Sequence, residues 1–356
     1  MKNNFLIFGF LIVIIGGACK TGQKFYDKQN IDNPVSPISN STDNDKIKIL
    51  FGSCNDEDRP QELWSSLEQE KGDIFLWLGD NIYGDSEDLE VLERKYQIQD
   101  DHPAYQRFKN SISINGTWDD HDYGVNDGGK EFPSKKGSQQ LLLNFLDIPE
   151  DHPRRSREGV YDKISINKND ILVDIFILDT RYFRDPLVGK RGSLKAESKG
   201  TILGKAQWDW LDRELEKSNA DVHLFLSSIQ LIPEEHGWEK WANYPQEKTK
   251  FLDLLASHNI NYPIILSGDR HTAEFSSQKW KGYYFYDLTS SSLTHGVKNK
   301  RPEANQFRMP GTEIIFEENY GVLEISKEED FVFVGKIKTG YDQIVIEEKL
   351  FAEAKK

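Results

Sequence analysis

Positive charge is scarce in this chain: 45 Lys and Arg stand against 59 Asp and Glu, a formal net charge of −14. Non-specific nucleic-acid binding draws its affinity from Lys and Arg that displace counterions from phosphates, so no specific nucleic-acid-binding surface is expected. A polyanionic substrate would need a local positive device, and a carboxylate-rich chain is suited to hold metal ions that supply one. Long apolar runs are also wanting. The run from Phe5 to Ile15 is too short to span a membrane. Cysteine is rarer still, with Cys19 and Cys54 alone. Aromatic residues, by contrast, are plentiful: 20 Phe, 14 Tyr and 8 Trp within a chain that is 37% hydrophobic supply the apolar faces of one sizeable core.

Residues 1–18 carry Lys2, the apolar run and Gly16-Gly17-Ala18, which fits a secretory signal with small residues before its cleavage point. Cys19, directly after them, resembles the lipobox of bacterial lipoproteins, in which the cysteine is lipidated and becomes the new N-terminus. Gly16 stands where Leu is usual, and a simple cleaved signal is the alternative. Residues 19–45 are rich in Asn, Ser, Asp, Lys and Pro without apolar periodicity, the composition of a flexible, lipid-anchored tether. The expectation is an exported, membrane-anchored protein on a periplasmic or cell-surface face, with its folded domain over residues 46–350. If Cys19 is acylated, Cys54 has no intrachain partner. An exposed thiol outside the cytoplasm oxidises, and metal ligation would explain its presence.

Lys46–Phe51 reads as a strand and Asp73–Leu78 as a second, more continuously apolar one of the kind buried on both faces. Similar runs at Ile112–Trp118, Ile171–Leu178, His223–Ser228 and Pro263–Leu266 each stop at Asp, Ser or Gly. Helical patterns lie between them at Gln61–Gln69, Ser138–Phe145, Lys205–Glu216 and Gln246–His258. This alternation predicts an α/β layered fold with function collected in loops at strand ends. From Thr312 the pattern shortens, through Ile314–Phe316, Tyr320–Ile325, Phe331–Val334 and Ile344–Ile346, to antiparallel strands completing the same domain.

The strand-end loops carry the chemistry. Gly79-Asp80 alone is an ordinary turn, and Cys54 alone an ordinary small buried hydrophobe. If the strands before them are parallel neighbours, however, the sulfur lies near the carboxylate. Trp118-Asp119-Asp120-His121-Asp122 packs three carboxylates and an imidazole into four consecutive residues, which repel unless cations or solvent screen them. Gly268-Asp269-Arg270-His271 puts a carboxylate and an imidazole two residues apart, able to face one pocket. Four such clusters at the ends of four apolar strands exceed coincidence and point to one shared metal site.

The set Gly-Ser-Cys54, Leu-Gly-Asp80-Asn-Ile-Tyr83, Trp-Asp-Asp120-His121-Asp and Ser-Gly-Asp269-Arg-His271 resembles the alkaline phosphatase D (PhoD-like) family of calcineurin-like metallophosphoesterases. Leu178-Asp-Thr-Arg181-Tyr-Phe-Arg184 is similar to a further family signature, and the resemblance runs from about residue 46 to near 340. The N-terminal β-domain of some members is absent, and the short tether stands in its place. The resemblance implies a four-layer α/β sandwich, two mixed β-sheets flanked by helices, and a dinuclear centre of Fe(III) and Ca(II). Carried over residue by residue, it implies that Cys54, Asp80, Tyr83 and His271 bind the iron. Asp80 would bridge to the second ion, held by Asp120 and Asp269. Thiolate and phenolate suit ferric iron, and carboxylate oxygens suit the harder calcium. His121 matches the histidine that protonates a leaving oxygen. Gln230 is a further candidate near the second ion, and Asn126 could bind phosphate or metal. Gly84 stands where many members carry a charged residue, so a substrate contact is missing or supplied elsewhere.

Two such cations can activate a shared water and neutralise phosphoryl oxygens, giving in-line hydrolysis of a phosphate mono- or diester without a covalent enzyme intermediate. Arg270 is either a phosphate clamp, by the fit of guanidinium to phosphate oxygens, or a salt-bridge partner. Arg181 and Arg184 are expected to pair with Asp179 and Asp185. Trp208 and Trp210 belong to a helix pattern and the core, whereas the loop Pro233–Tyr244, with Trp238, Trp241 and Tyr244, could wall the substrate cleft. The competing readings are a phospholipase of the C or D kind and a tethered metal-binding protein without turnover. Retention of His121 beside six ligands argues against the latter.

Overall fold

The computed structural model describes residues 45–351 apart from 191–192, 197–198, 298–302 and 341–342, all within one compact unit. The expected leader and, up to residue 44, the tether lie outside the described residues. Among the described residues no helix is long and apolar enough to cross a membrane.

A six-stranded sheet runs in the order β12 (Gln343–Leu350), β11 (Phe331–Thr339), β10 (Asn319–Lys327), β1 (Lys46–Gly52), β2 (Ile74–Leu78), β3 (Ser113–Thr117). β1, β2 and β3 are parallel, and β10 pairs antiparallel with β1. The C-terminal strands therefore complete the sheet that the first strand begins. The second sheet runs β4 (Asp162–Lys168), β5 (Ile171–Ile177), β6 (Val222–Ser227), β7 (Pro263–Ser267), β9 (Tyr283–Ser290), β8 (Ala273–Trp280). Its four central strands are parallel and its edge strands antiparallel. Both sheets are mixed.

Alternation along each strand sorts side chains into layers. Ile49, Phe51, Ile74, Leu76 and Leu78 face Ile175, Ile177, Leu224, Leu226 and Leu266, filling the space between the sheets. The residues in register between them face outward: Leu50, Phe75 and Trp77 pack on α1 (Leu63–Glu70), α2 (Leu89–Asp100), α3 (Pro103–Ser111) and, beyond the single turn α4 (Asp120–Tyr123), α5 (Lys135–Phe145). Phe176, Phe225 and Ile265 pack on α6 (Gly204–Lys217) and α7 (Pro245–Ser257). The result is the four-layer α/β sandwich, with Trp208 and Trp210 on the buried face of α6.

Three features differ from the sequence reading. Ile314–Phe316 is no strand: Ile315 makes a single antiparallel bridge to Ala273 at the end of β8. The hairpins β4–β5 and β8–β9 went unread because their two-residue turns, Asn169-Asp170 and Lys281-Gly282, lack the usual Asn-Gly or Asp-Gly pair, although both residues of each turn have positive φ. α2 and α3 begin on side-chain caps at Asp88 and His102, but each buries only a few residues, a weak periodic signal.

Candidate metal centre

Parallel pairing delivers the C-terminal ends of β1, β2 and β3 to one edge, and the loop after β7 meets them there. A Cβ on Gly268 would lie 2.6 Å from Ser53 Oγ and 2.9 Å from Leu78 O, so this close approach requires glycine. The loops are held in unusual backbone: Cys54, Asp80, Asp269 and His271 have φ of 56°, 50°, 68° and 53°. Non-glycine residues in that region cost of order 1–3 kcal/mol each and persist where the surroundings over-determine them.

All seven residues expected to bind metal or move a proton are linked through close contacts or shared ligand groups around Asp80. Cys54 Sγ lies 3.3 Å and Tyr83 Oη 3.4 Å from Asp80 Oδ2. Tyr83 Oη is also 3.3 Å from His271 Nε2. His271 Nδ1 faces the His295 carbonyl at 3.3 Å, which turns Nε2 inward. Cys54, Asp80 and His271 can place one ligand atom each within 4.8 Å of one another, and so can Asp80, Asp119, Asp120 and Asp269. Asp80 is common to both groups. His121 donates its backbone N–H to Asp80 Oδ1 (3.4 Å), stacks on Tyr83 at 4.3 Å between ring centroids, and holds Asp85 at 2.8 Å through Nδ1.

Electrostatics favour a cation here. Burial, reinforced by neighbouring carboxylates, pushes Asp80 and Asp269 well above the usual carboxylate range. Burial and Asp80 likewise raise the Cys54 thiol, and burial and Cys54 the Tyr83 phenol. Burial lowers His271, keeping its imidazole neutral and able to donate a lone pair. Asp119 Oδ2 and Asp120 Oδ1 are buried with no hydrogen-bond partner. Asp80, Asp269, Cys54 and Tyr83 would carry their charges here only beside cations, and thiolate, phenolate and imidazole on one side with carboxylates on the other fit a softer and a harder ion.

The centre opens into a cavity of about 820 Å³ whose lining includes Asp120, His121, Asp269, His271, Asn126 and Arg270. Gln230 is not among these residues: its amide donates to Glu274 (3.1 Å) and Thr289 (2.8 Å) inside the second sheet. Arg270 is ion-paired with Glu303. In the loop 233–244, Trp238 lines the cavity, while Trp241 and Tyr244 are buried in the core under the second sheet. At Gly84 a Cβ would meet Leu92 Cδ2 at 2.1 Å, so a side chain there would require the Leu92 side chain to shift.

Comparison with known proteins supplies the lineage. A family model described as PhoD-like phosphatase matches residues 148–344, more than half of the chain. The chain belongs to the PhoD-like phosphatase family. The match takes in the Gly-Asp-Arg-His loop, with the three other motifs preceding it. The chain is also similar to alkaline phosphatase D of Bacillus subtilis (strain 168), at 22% identity over 77% of this chain and 56% of that protein. It thus spans about half the length of this curated relative. A solved structure titled "Structure of PhoD" shares the fold, with a TM-score of 0.66 and 16% identity over 88% of this chain and 73% of that one.

Three partners of the motif residues lie outside the motifs: Asp85, Ser228 and Glu239. Asp85, two residues beyond Tyr83, holds His121. Asp119 accepts from Arg181 Nε and Ser228 Oγ, each at 2.5 Å, and N-caps α4. Arg181 and Arg184 do not pair with Asp179 and Asp185 as expected. Both reach Glu239, and Arg181 also faces Asp120 at 3.7 Å. Asp179 is instead taken by the Trp118 indole and backbone N–H groups, and Asp185 by Lys130 and Thr201. Sequence distance hid these partners. Arg181 and Glu239 lie far apart along the chain, and the parallel pairing of β5 with β6 in the second sheet brings the loops that carry them together.

Proposed function

We propose that the protein is a metal-dependent phosphoesterase that hydrolyses phosphate mono- or diesters. The observation that carries this reading is Asp80, one carboxylate common to a thiol–imidazole group, with the Tyr83 phenol 3.4 Å away, and a carboxylate group. In this reading Cys54, Tyr83, His271 and Asp80 would hold one ion, Fe(III) by donor chemistry, and Asp120 and Asp269, again with Asp80, would hold the other, Ca(II). When bound, the two ions supply charge to neutralise the phosphoryl oxygens and to activate a water.

The chain's own residues do the rest. The Asp85 contact fixes the His121 tautomer, leaving Nε2 to carry the proton toward the departing oxygen. Burial alone would lower His121, but Asp80, Asp85 and Asp120 outweigh it and push it up to about 11 without ions. Were Asp80 and Asp120 to hold cations, His121 would lose part of that attraction and its imidazolium would lie nearer working pH, where a general acid contributes about 10²–10⁴-fold. Asn126, on the cavity wall, is the remaining proposed phosphate contact.

Lipidation at Cys19 and export of the domain on the tether 19–45 are part of the same proposal. They would set the site beside a membrane, where a phospholipase reading gains force. The test is assay of the purified protein on bis-p-nitrophenyl phosphate, p-nitrophenyl phosphate and phosphatidylcholine, with metal analysis of the same sample. Turnover of either nitrophenyl ester is expected. Preferential cleavage of phosphatidylcholine would favour the lipid hydrolase. Full metal loading with no turnover of any ester would leave a binding protein.

A further inference from the structure

Part of the cavity rim differs from the rest of the chain in charge. Asp185 and Thr201 close a loop on each other: the Asp185 N–H donates to Thr201 O at 2.8 Å, and the Thr201 N–H to Asp185 Oδ2 at 2.9 Å. Within it Val188 and Lys195 exchange backbone hydrogen bonds of 2.9 and 3.1 Å as an antiparallel bridge, and the Ser193 N–H donates to Lys190 O at 2.7 Å. The inner side of this hairpin is tied down. Leu187 packs on the core under the second sheet, Asn243 Nδ2 donates to the Leu194 carbonyl at 2.6 Å, and the Ala196 N–H donates to the Asn243 carbonyl at 2.9 Å. Gly189 and Leu194 line the cavity that also meets His121 and Asp269.

The outer side is left to solvent. Lys130 is taken by Asp185 at the base, whereas Lys190, Lys195 and Lys199 are exposed and form no ion pair among the described residues. Val188 is 44% exposed. Over residues 186–200 the sequence carries four basic residues against Glu197 alone, in a chain of net charge −14. Lysines around an apolar tip suit an interface with lipid: the ammonium groups attract anionic headgroups, and the apolar side chain enters the headgroup boundary. A soluble polyanion would engage the lysines and leave the valine without a role.

We propose that the outer face of this hairpin, Val188, Lys190, Lys195 and Lys199, docks on an anionic phospholipid bilayer and sets the mouth of the cavity against the headgroups. An acidic protein is repelled by such a surface as a whole, so a basic face also fixes which way the domain turns. Docking acts through the hairpin and needs neither an acyl chain on Cys19 nor turnover in the cavity.

The full chain carrying Cys19→Ser, which no acyl group can anchor at that position, tests this on two kinds of vesicle. One is phosphatidylglycerol and phosphatidylcholine in equal parts; the other is phosphatidylcholine alone, which measures any contribution of the apolar run Phe5–Ile15. Sedimentation reads the bound fraction. Acylation of lysines by a water-soluble reagent, followed by mass spectrometry, reads which face is covered. Tighter binding to the anionic vesicles is expected, weakening as salt rises from about 0.05 M to about 0.5 M. Lys190, Lys195 and Lys199 should then be protected, while the exposed Lys349 of β12 stays reactive. The triple variant Lys190→Gln/Lys195→Gln/Lys199→Gln should lower partition onto the anionic vesicles about a hundredfold, about fivefold for each lysine, with its melting temperature unchanged. Partition of that variant equal to its parent's, or three lysines as reactive on vesicles as in solution, would overturn docking by this face. Protection by inorganic polyphosphate without protection by the anionic vesicles would overturn it in favour of a soluble polyanion. Neither readout involves turnover, so the phosphoesterase reading survives either failure.

Discussion

Charge balance at the level of single residues decides how the centre behaves without ions. Asp80 and Asp269 are held up by burial and by neighbouring carboxylates. A carboxyl raised on folding stabilises the fold fully below its unfolded value near 4 and loses that contribution as pH climbs toward the folded value. Metal-free protein is therefore expected to lose thermal stability as pH rises from about 4 to 8, while metal-loaded protein does not, because cations replace the protons. Melting temperatures across that range, with and without chelator, check this. Parallel curves would contradict it. Arg181 carries the opposite burden. Its buried guanidinium faces Asp119, Asp120 and Glu239, so Arg181→Met leaves buried carboxylates uncompensated. A loss of about 3–5 kcal/mol of stability is expected from denaturant unfolding, and Arg181→Lys should recover part of it. Asp85→Asn is expected to lower kcat more for esters with poor leaving groups than for nitrophenyl esters, with both metals retained. Equal losses on both would remove Asp85 from proton transfer.

Among the elements, strands were far more legible than turns. β2 shows why: all five of its residues are buried, so its apolar run announces a strand covered on both faces. Leu76 points between the sheets, and Leu76→Ala should cost about 2–5 kcal/mol with metal content unchanged in the folded fraction. The β4–β5 hairpin was illegible because Asn169-Asp170 adopts φ of 55° and 58° without glycine. Asp170→Gly should relieve that backbone and raise stability by about 0.5–1 kcal/mol, read as a shift in denaturant midpoint. The motif loops were readable for a related reason. Short acidic runs halting apolar strands mark positions where the sheet edge meets solvent. What the motifs could not reveal were partners from other loops: Asp119 looked like a neighbour of Asp120, and only Arg181 and Ser228, arriving from the second sheet, separate their environments. Burial raises Asp119 to about 6 despite Arg181, whereas Arg181 and His121 overcome burial at Asp120 and hold it down to about 2.

For the whole molecule, net charge of −14 and a site made of carboxylates belong together. The fold places its acidic loops at one edge where two sheets meet, and in the proposed function cations held there would convert that edge from repelling phosphate to binding it. Asp80 is the residue on which this conversion turns, because both ligand groups share it. Metal content per chain, measured on wild type and Asp80→Asn together with the visible absorbance of a tyrosinate–iron pair, tests the arrangement most directly. The wild type is expected to hold two ions and show the charge-transfer band, and Asp80→Asn, with its circular dichroism unchanged, to lose both ions and the band. Two ions retained by a folded Asp80→Asn protein would contradict a bridged centre.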